Sequence, residues 1–123
     1  MATHRNRAAP RMIKLCPQQE LPEGHSRGFR LHDTSIFALR SQQRIYAYYN
    51  RCPHLGIELE WVEDQFLSGD ATLIQCSTHG ALFLIETGLC VAGPCQGERL
   101  QAIPARIEDG YIVIAALTDA PAN

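Results

Sequence analysis

Lysine and arginine are missing from residues 52–98, and that stretch holds seven acids: Glu58, Glu60, Glu63, Asp64, Asp70, Glu86 and Glu98. Residues 1–51 carry nine basic residues against only Glu20, Glu23 and Asp33, so an uneven charge pattern hides behind a net charge of -2. That near-neutral balance excludes the basic footprint expected of a nucleic-acid or anionic-membrane partner. The acidic stretch is either a solvated face or a surface that steers a basic partner. No apolar run approaches transmembrane length, and the first residues lack the apolar core of a signal peptide. The five cysteines (Cys16, Cys52, Cys76, Cys90, Cys95) are an odd number, which argues against a disulfide scaffold and for a reducing cytoplasm. Also missing are a sustained 3.6-residue apolar period, a carboxylate dyad and a nucleophile–base pair. These absences exclude a helical bundle and leave bond-making chemistry without residues to perform it.

The patterns present are short, alternating and rich in β-branched and aromatic residues. Runs at 12–16, 29–32, 35–40, 44–49, 71–75, 81–85, 89–91, 100–107 and 111–116 read as strands. Ser41-Gln42-Gln43 is the expected turn of a hairpin, Ser68-Gly69-Asp70 a second turn, and Glu108-Asp109-Gly110 the turn of a terminal hairpin. The tyrosines fall on these strands and read as sheet residues, while His25 and His32 read as exposed loop and strand residues without a ligand role. At 123 residues the chain fits one domain. It is expected to be all-β and to occupy 12–117, with residues 1–11 a basic disordered arm and 118–123 a disordered tail.

Two pentads interrupt this frame. Cys52-Pro53-His54-Leu55-Gly56 follows one predicted strand, and Cys76-Ser77-Thr78-His79-Gly80 follows another. Each offers one thiolate and one imidazole beside a glycine. Four such donors suit either one tetrahedral zinc or a binuclear iron–sulfur cluster with two cysteines on one iron and two histidines on the other. Zinc knuckles usually pair like with like, whereas here each half contributes one of each kind, so opposite loops can each reach both irons. The sole tryptophan, Trp61, reads as packing beneath the loops.

On these residues, together with Phe83 three positions beyond Gly80 and Gly93-Pro94 in a third loop, the chain resembles the Rieske [2Fe-2S] family over about 12–116. The resemblance implies antiparallel sheets with a cluster-binding subdomain at one end, its loops lying within about 50–97, and one [2Fe-2S] cluster per chain. Cys52 and Cys76 would hold the inner iron, and His54 and His79 the outer iron that receives the electron. Pro53 and Pro94 would stiffen their loops; Gly56 and Gly80 would allow close backbone approach. High-potential members carry a disulfide where this chain has Ile57 and Thr78, and hydroxyl donors where it has Ala81 and Phe83. Without those donors the reduced cluster loses hydrogen bonds, so the potential is expected toward the low end of roughly -150 to +300 mV.

The chain is thus most similar to the soluble Rieske-type ferredoxins that serve ring-hydroxylating oxygenases. It is expected to be no enzyme itself but a one-electron carrier between a reductase and an oxygenase or other acceptor. A fixed small subunit like that of assimilatory nitrite reductase is the alternative, and a structural zinc protein a further one. Cys90 and Cys95 either bridge or remain small buried thiols. Cys95 follows Gly93-Pro94 closely enough to influence the cluster, and Cys16 reads as core.

Overall fold

The computed structural model describes residues 12–53, 56–60, 62–78 and 80–117. Among them ten strands follow one another: β1 (Met12–Pro17), β2 (Ser26–Leu31), β3 (Thr34–Ser41), β4 (Arg44–Tyr49), β5 (Leu73–Gln75), β6 (Leu82–Leu84), β7 (Cys90–Ala92), β8 (Ala102–Ile103), β9 (Ala105–Glu108) and β10 (Tyr111–Ala115). The only helical piece described is a single 3-10 turn at Gln18–Glu20. The strands form three antiparallel sheets, ordered β1-β10-β9, β2-β3-β4-β8 and β5-β6-β7. The all-β expectation therefore holds. The expected arm at 1–11, the tail at 118–123, Trp61, and the imidazoles of His54 and His79 lie outside the described residues.

Period-two alternation explains why the central sheet is apolar along its whole middle. On β3, Phe37 and Leu39 enter one core while Ile36 and Ala38 enter another. On β4, Tyr48 joins the first core, and Ile45, Ala47 and Tyr49 join the second. A strand buried on both faces loses the polar half of its pattern, as the continuous run Ile36-Phe37-Ala38-Leu39 does. The second core is closed by Ile112 and Ile114 of β10, with Cys16 of β1 among them as expected. The first core is closed by everything between β4 and β8, including Cys52, Cys76, Cys90 and Cys95.

Residues 50–101 thus form an insertion whose small sheet, β5-β6-β7, packs on one face of the central sheet. Phe66 stacks on Phe37 with ring centroids 4.3 Å apart. The Tyr48 hydroxyl donates to the Ile85 carbonyl at 2.6 Å, and burial pushes its pKa up to about 12. This placement matches a cluster-binding subdomain at one end.

Several boundaries differ from the sequence pattern, each for a local reason. The predicted run 29–32 starts earlier, at Ser26, and ends at Leu31, because His32 has φ +56° in a two-residue turn with Asp33. The hairpin turn is Gln42-Gln43, with Ser41 already paired to Arg44. The run 71–75 begins only at Leu73: Ala71 has φ +60°, and the Asp70 carboxylate accepts from the hydroxyls of Ser68 and Thr72. Pro104 splits 100–107, sending β8 to β4 and β9 to β10, since proline cannot donate to a ladder.

Candidate metal centre

The two pentads fold alike. The Gly56 amide donates to the Cys52 carbonyl at 2.6 Å, and the Cys52 amide donates to the Ile57 carbonyl at 2.7 Å. In the second loop the Gly80 amide donates to the Cys76 carbonyl and the Cys76 amide to the Ala81 carbonyl, both at 2.9 Å. Gly56 and Gly80 have φ +71° and +69°, a region open to glycine at little steric cost, which explains why each pentad ends in that residue. Cys52 and Cys76 are only 3 % and 1 % exposed and belong to one core. Two soft donors buried together at the heads of matching loops suit a metal–sulfur group.

The frame holds the loops from behind. Asn50, the one buried polar side chain among the described residues, follows β4 and ties the exit of the first loop to β3. Its Oδ1 accepts the Leu59 amide at 2.8 Å, while Nδ2 donates to Ser35 Oγ and Glu60 Oε1, each at 3.0 Å. The Ser77 amide donates to the Leu59 carbonyl at 2.7 Å, joining the second loop to the exit of the first. Arg51 lays its guanidinium beside Gly56, where an added Cβ would sit 3.4 Å from it. Sequence reasoning missed both Asn50 and Arg51. The available signal was a polar pair closing an otherwise apolar strand.

The third loop, 93–97, is pressed against the second. A Cβ on Gly93 would lie 2.8 Å from Ala81 Cα, so the backbones touch there. Pro94 is exposed on this loop, and Cys95 turns inward at 1 % exposure. The Cys95 thiol donates to Cys90 Sγ at 3.0 Å. Burial, then the neighbouring Cys90 and Cys52 sulfurs, push its pKa up to about 12. None of the five cysteines is in a disulfide, so Cys90 and Cys95 are packed together without a bridge.

Around the thiols, Ala81 and Phe83 are fully enclosed, Pro53 and Thr78 are half-buried, and Ile57 is 38 % exposed. Part of the acidic stretch is tied into the framework, although Glu58 and Asp70 stay exposed. Glu58 pairs with Arg30 at 3.0 Å, Glu60 meets Asn50, Asp64 accepts the Gly28 amide at 2.8 Å, and Asp70 closes its own turn. Glu63, Glu86 and Glu98 are exposed. His25 and His32 are exposed as well, in a loop and a turn away from the pentads.

Comparison with known proteins agrees with this geometry. The Rieske [2Fe-2S] domain family matches residues 11–109. The ferredoxin component of the alkene monooxygenase system of Xanthobacter autotrophicus (strain ATCC BAA-1158 / Py2) is 29 % identical over 104 residues, covering 83 % of this chain and 79 % of that one. The ferredoxin of carbazole 1,9a-dioxygenase from Nocardioides aromaticivorans IC177 superposes with a TM-score of 0.70 at 21 % identity, over 85 % of this chain and 96 % of that one. A reduced complex between oxygenase and ferredoxin in carbazole 1,9a-dioxygenase gives a TM-score of 0.74 at 20 % identity over 86 % of this chain, which spans only 28 % of the matched chain. Among the described residues no helix is long and apolar enough to cross a membrane. Matching loops with buried thiols, the three-sheet fold and the family match over 11–109 lead to one conclusion: the chain belongs to the Rieske [2Fe-2S] domain family and has a [2Fe-2S] cluster as its cofactor.

Proposed function

We propose that this chain is a Rieske-type ferredoxin, a small carrier that accepts one electron from a reductase and delivers it to an oxygenase. The observation that carries the reading is the matched pair of pentad loops, presented at one end of a domain about as long as free ferredoxins of oxygenase systems. Cys52 and Cys76 hold the inner iron, and His54 and His79 hold the outer one. The cluster, when bound, would supply a one-electron couple. The chain's own residues bury the thiols, orient them through the Gly56 and Gly80 turns, and brace both loops through Asn50 and Ser77.

The functional domain is 12–117, it acts in the cytoplasm, and it has no catalytic residues of its own. Pro53, Gly56, Thr78, Gly80, Gly93 and Pro94 shape the loops. Ala81 and Phe83 leave the cluster sulfurs without hydroxyl donors, which keeps the potential low for this family. The reading is tested in a strain from which the chain is deleted, by following oxygenase turnover in its extracts. Adding the cluster-loaded protein should restore turnover. Restoration by a cluster-free Cys52→Ser, Cys76→Ser variant, or none by the holoprotein, would contradict it.

A further inference from the structure

The two pentad loops share one backbone turn, yet their glycines have different neighbours. A Cβ on Gly56 would lie 3.4 Å from Arg51 Nη2, 3.5 Å from Nε and 3.7 Å from Cζ, so the guanidinium lies along the glycine backbone. At Gly80, the matching residue of the second loop, a Cβ would meet no atom within 4 Å. The backbone fixes the root of the Arg51 side chain. Its amide donates to the Tyr49 carbonyl, and the Asn50 amide donates to the Ser35 carbonyl, each at 2.9 Å.

Arg51 is half-buried and takes part in none of the three ion pairs among the described residues. The first acids beyond the pentad are engaged elsewhere, Glu58 with Arg30 at 3.0 Å and Glu60 with the Asn50 amide group at 3.0 Å. Residues 52–98 contain no Lys or Arg, so neither pentad loop brings a cation of its own. A part-buried charge is screened less than a fully solvated one.

We propose that Arg51 is a tuning residue of the centre: its guanidinium, laid on Gly56, stabilises the reduced cluster and raises the reduction potential above the value that loops lacking hydroxyl donors give on their own. The inference rests on the assignment of Cys52 as a cluster ligand. Reduction adds one negative charge to the cluster, and a positive charge held close by favours that state. The effect acts through space, so it follows the charge at position 51 and not the shape of the side chain.

The test compares holoproteins purified without oxygen: wild type, Arg51→Lys, Arg51→Gln and Arg51→Glu. Iron and sulfide analysis with EPR first establishes cluster content, and midpoints are then titrated. Arg51→Gln should lower the ratio of reduced to oxidised cluster at a fixed potential by about threefold, equivalent to ~28 mV for one electron. Arg51→Glu, which reverses the charge, should lower it by about tenfold, or ~59 mV, and Arg51→Lys should keep the wild-type midpoint. The gap between wild type and Arg51→Gln should close between about 0.01 M and 1 M salt, as the Debye length falls from ~30 to ~3 Å. Arg51→Met takes the place of Arg51→Gln should that variant not hold its cluster.

A loaded Arg51→Gln protein with an unmoved midpoint overturns the tuning role alone. So does an Arg51→Lys midpoint that falls as far, or a gap that salt leaves unchanged, because stacking on Gly56 would then be the cause. A wild type lacking a Rieske spectrum overturns the ligand assignment itself.

Discussion

Ala81 and Phe83 are side chains whose chemistry is silent where a donor would count. Ala81 sits directly after the second pentad, 1 % exposed, with its carbonyl already engaged by the Cys76 amide. Replacing it by serine adds one hydroxyl beside the buried thiols. Ala81→Ser should raise the midpoint by tens of millivolts, each ~59 mV being a tenfold change in the couple; a redox titration that moves negative would contradict the donor argument. Asn50 works through position instead. Asn50→Ala leaves the buried Leu59 amide unpartnered and should destabilise the protein by about 2 kcal/mol, with faster cluster loss at elevated temperature, measured by denaturant unfolding and by decay of visible absorbance. At this scale the two pentads were legible from their spacing, and the structure gives them matching glycine turns with Cys52 and Cys76 buried in one core. The bracing role of Asn50 was not, since it depends on which loops the fold brings together.

Turns and strands show how local rules were overridden by partners distant in sequence. The β3–β4 turn uses Gln42 and Gln43 at φ +52° and +67° with no glycine, a conformation that non-glycine residues rarely adopt. It persists with the Glu23 carboxylate accepting both amides, at 2.6 Å from Gln42 and 2.9 Å from Gln43. No short-range turn signal contains a residue 19 positions away, so the sequence indicated a hairpin but not its register. The two amide bonds lower the Glu23 pKa. A carboxylate depressed in the folded state adds stability that is complete above its unfolded pKa and is lost as pH falls through the folded value. Glu23→Gln should therefore flatten part of the acid side of the stability profile, read as denaturant midpoints between about pH 5 and pH 3. An unchanged acid slope would remove the carboxylate from the account of this turn.

The described residues form two cores sharing one sheet, with both pentad cysteines in one of them. Alternation along β3 and β4 sends Phe37, Leu39 and Tyr48 toward the cluster end and Ile36, Ala38 and Ala47 toward β10. The all-β class and most strands were visible in sequence as short alternating runs. The division into two cores was not, because a strand buried on both faces hides which side each residue takes. The acidic stretch likewise divides on folding: Glu60 and Asp64 bond to the framework, while Glu58 and Asp70 stay exposed with local partners. This division makes stability and potential separable. Ile112→Ala, at a fully buried site of the far core, should destabilise by about 2–5 kcal/mol while leaving the midpoint unmoved. A midpoint that follows the stability loss would show the two ends to be coupled.

EPR of the dithionite-reduced holoprotein tests the central claim most directly, because the spectrum reports the ligands of the iron that takes the electron. Cysteines on one iron and histidines on the other predict a rhombic signal whose average g falls below that of all-cysteine [2Fe-2S] clusters, with two irons and two labile sulfides per chain. An average g in the all-cysteine range, or a colourless protein holding one zinc and no sulfide, would contradict it.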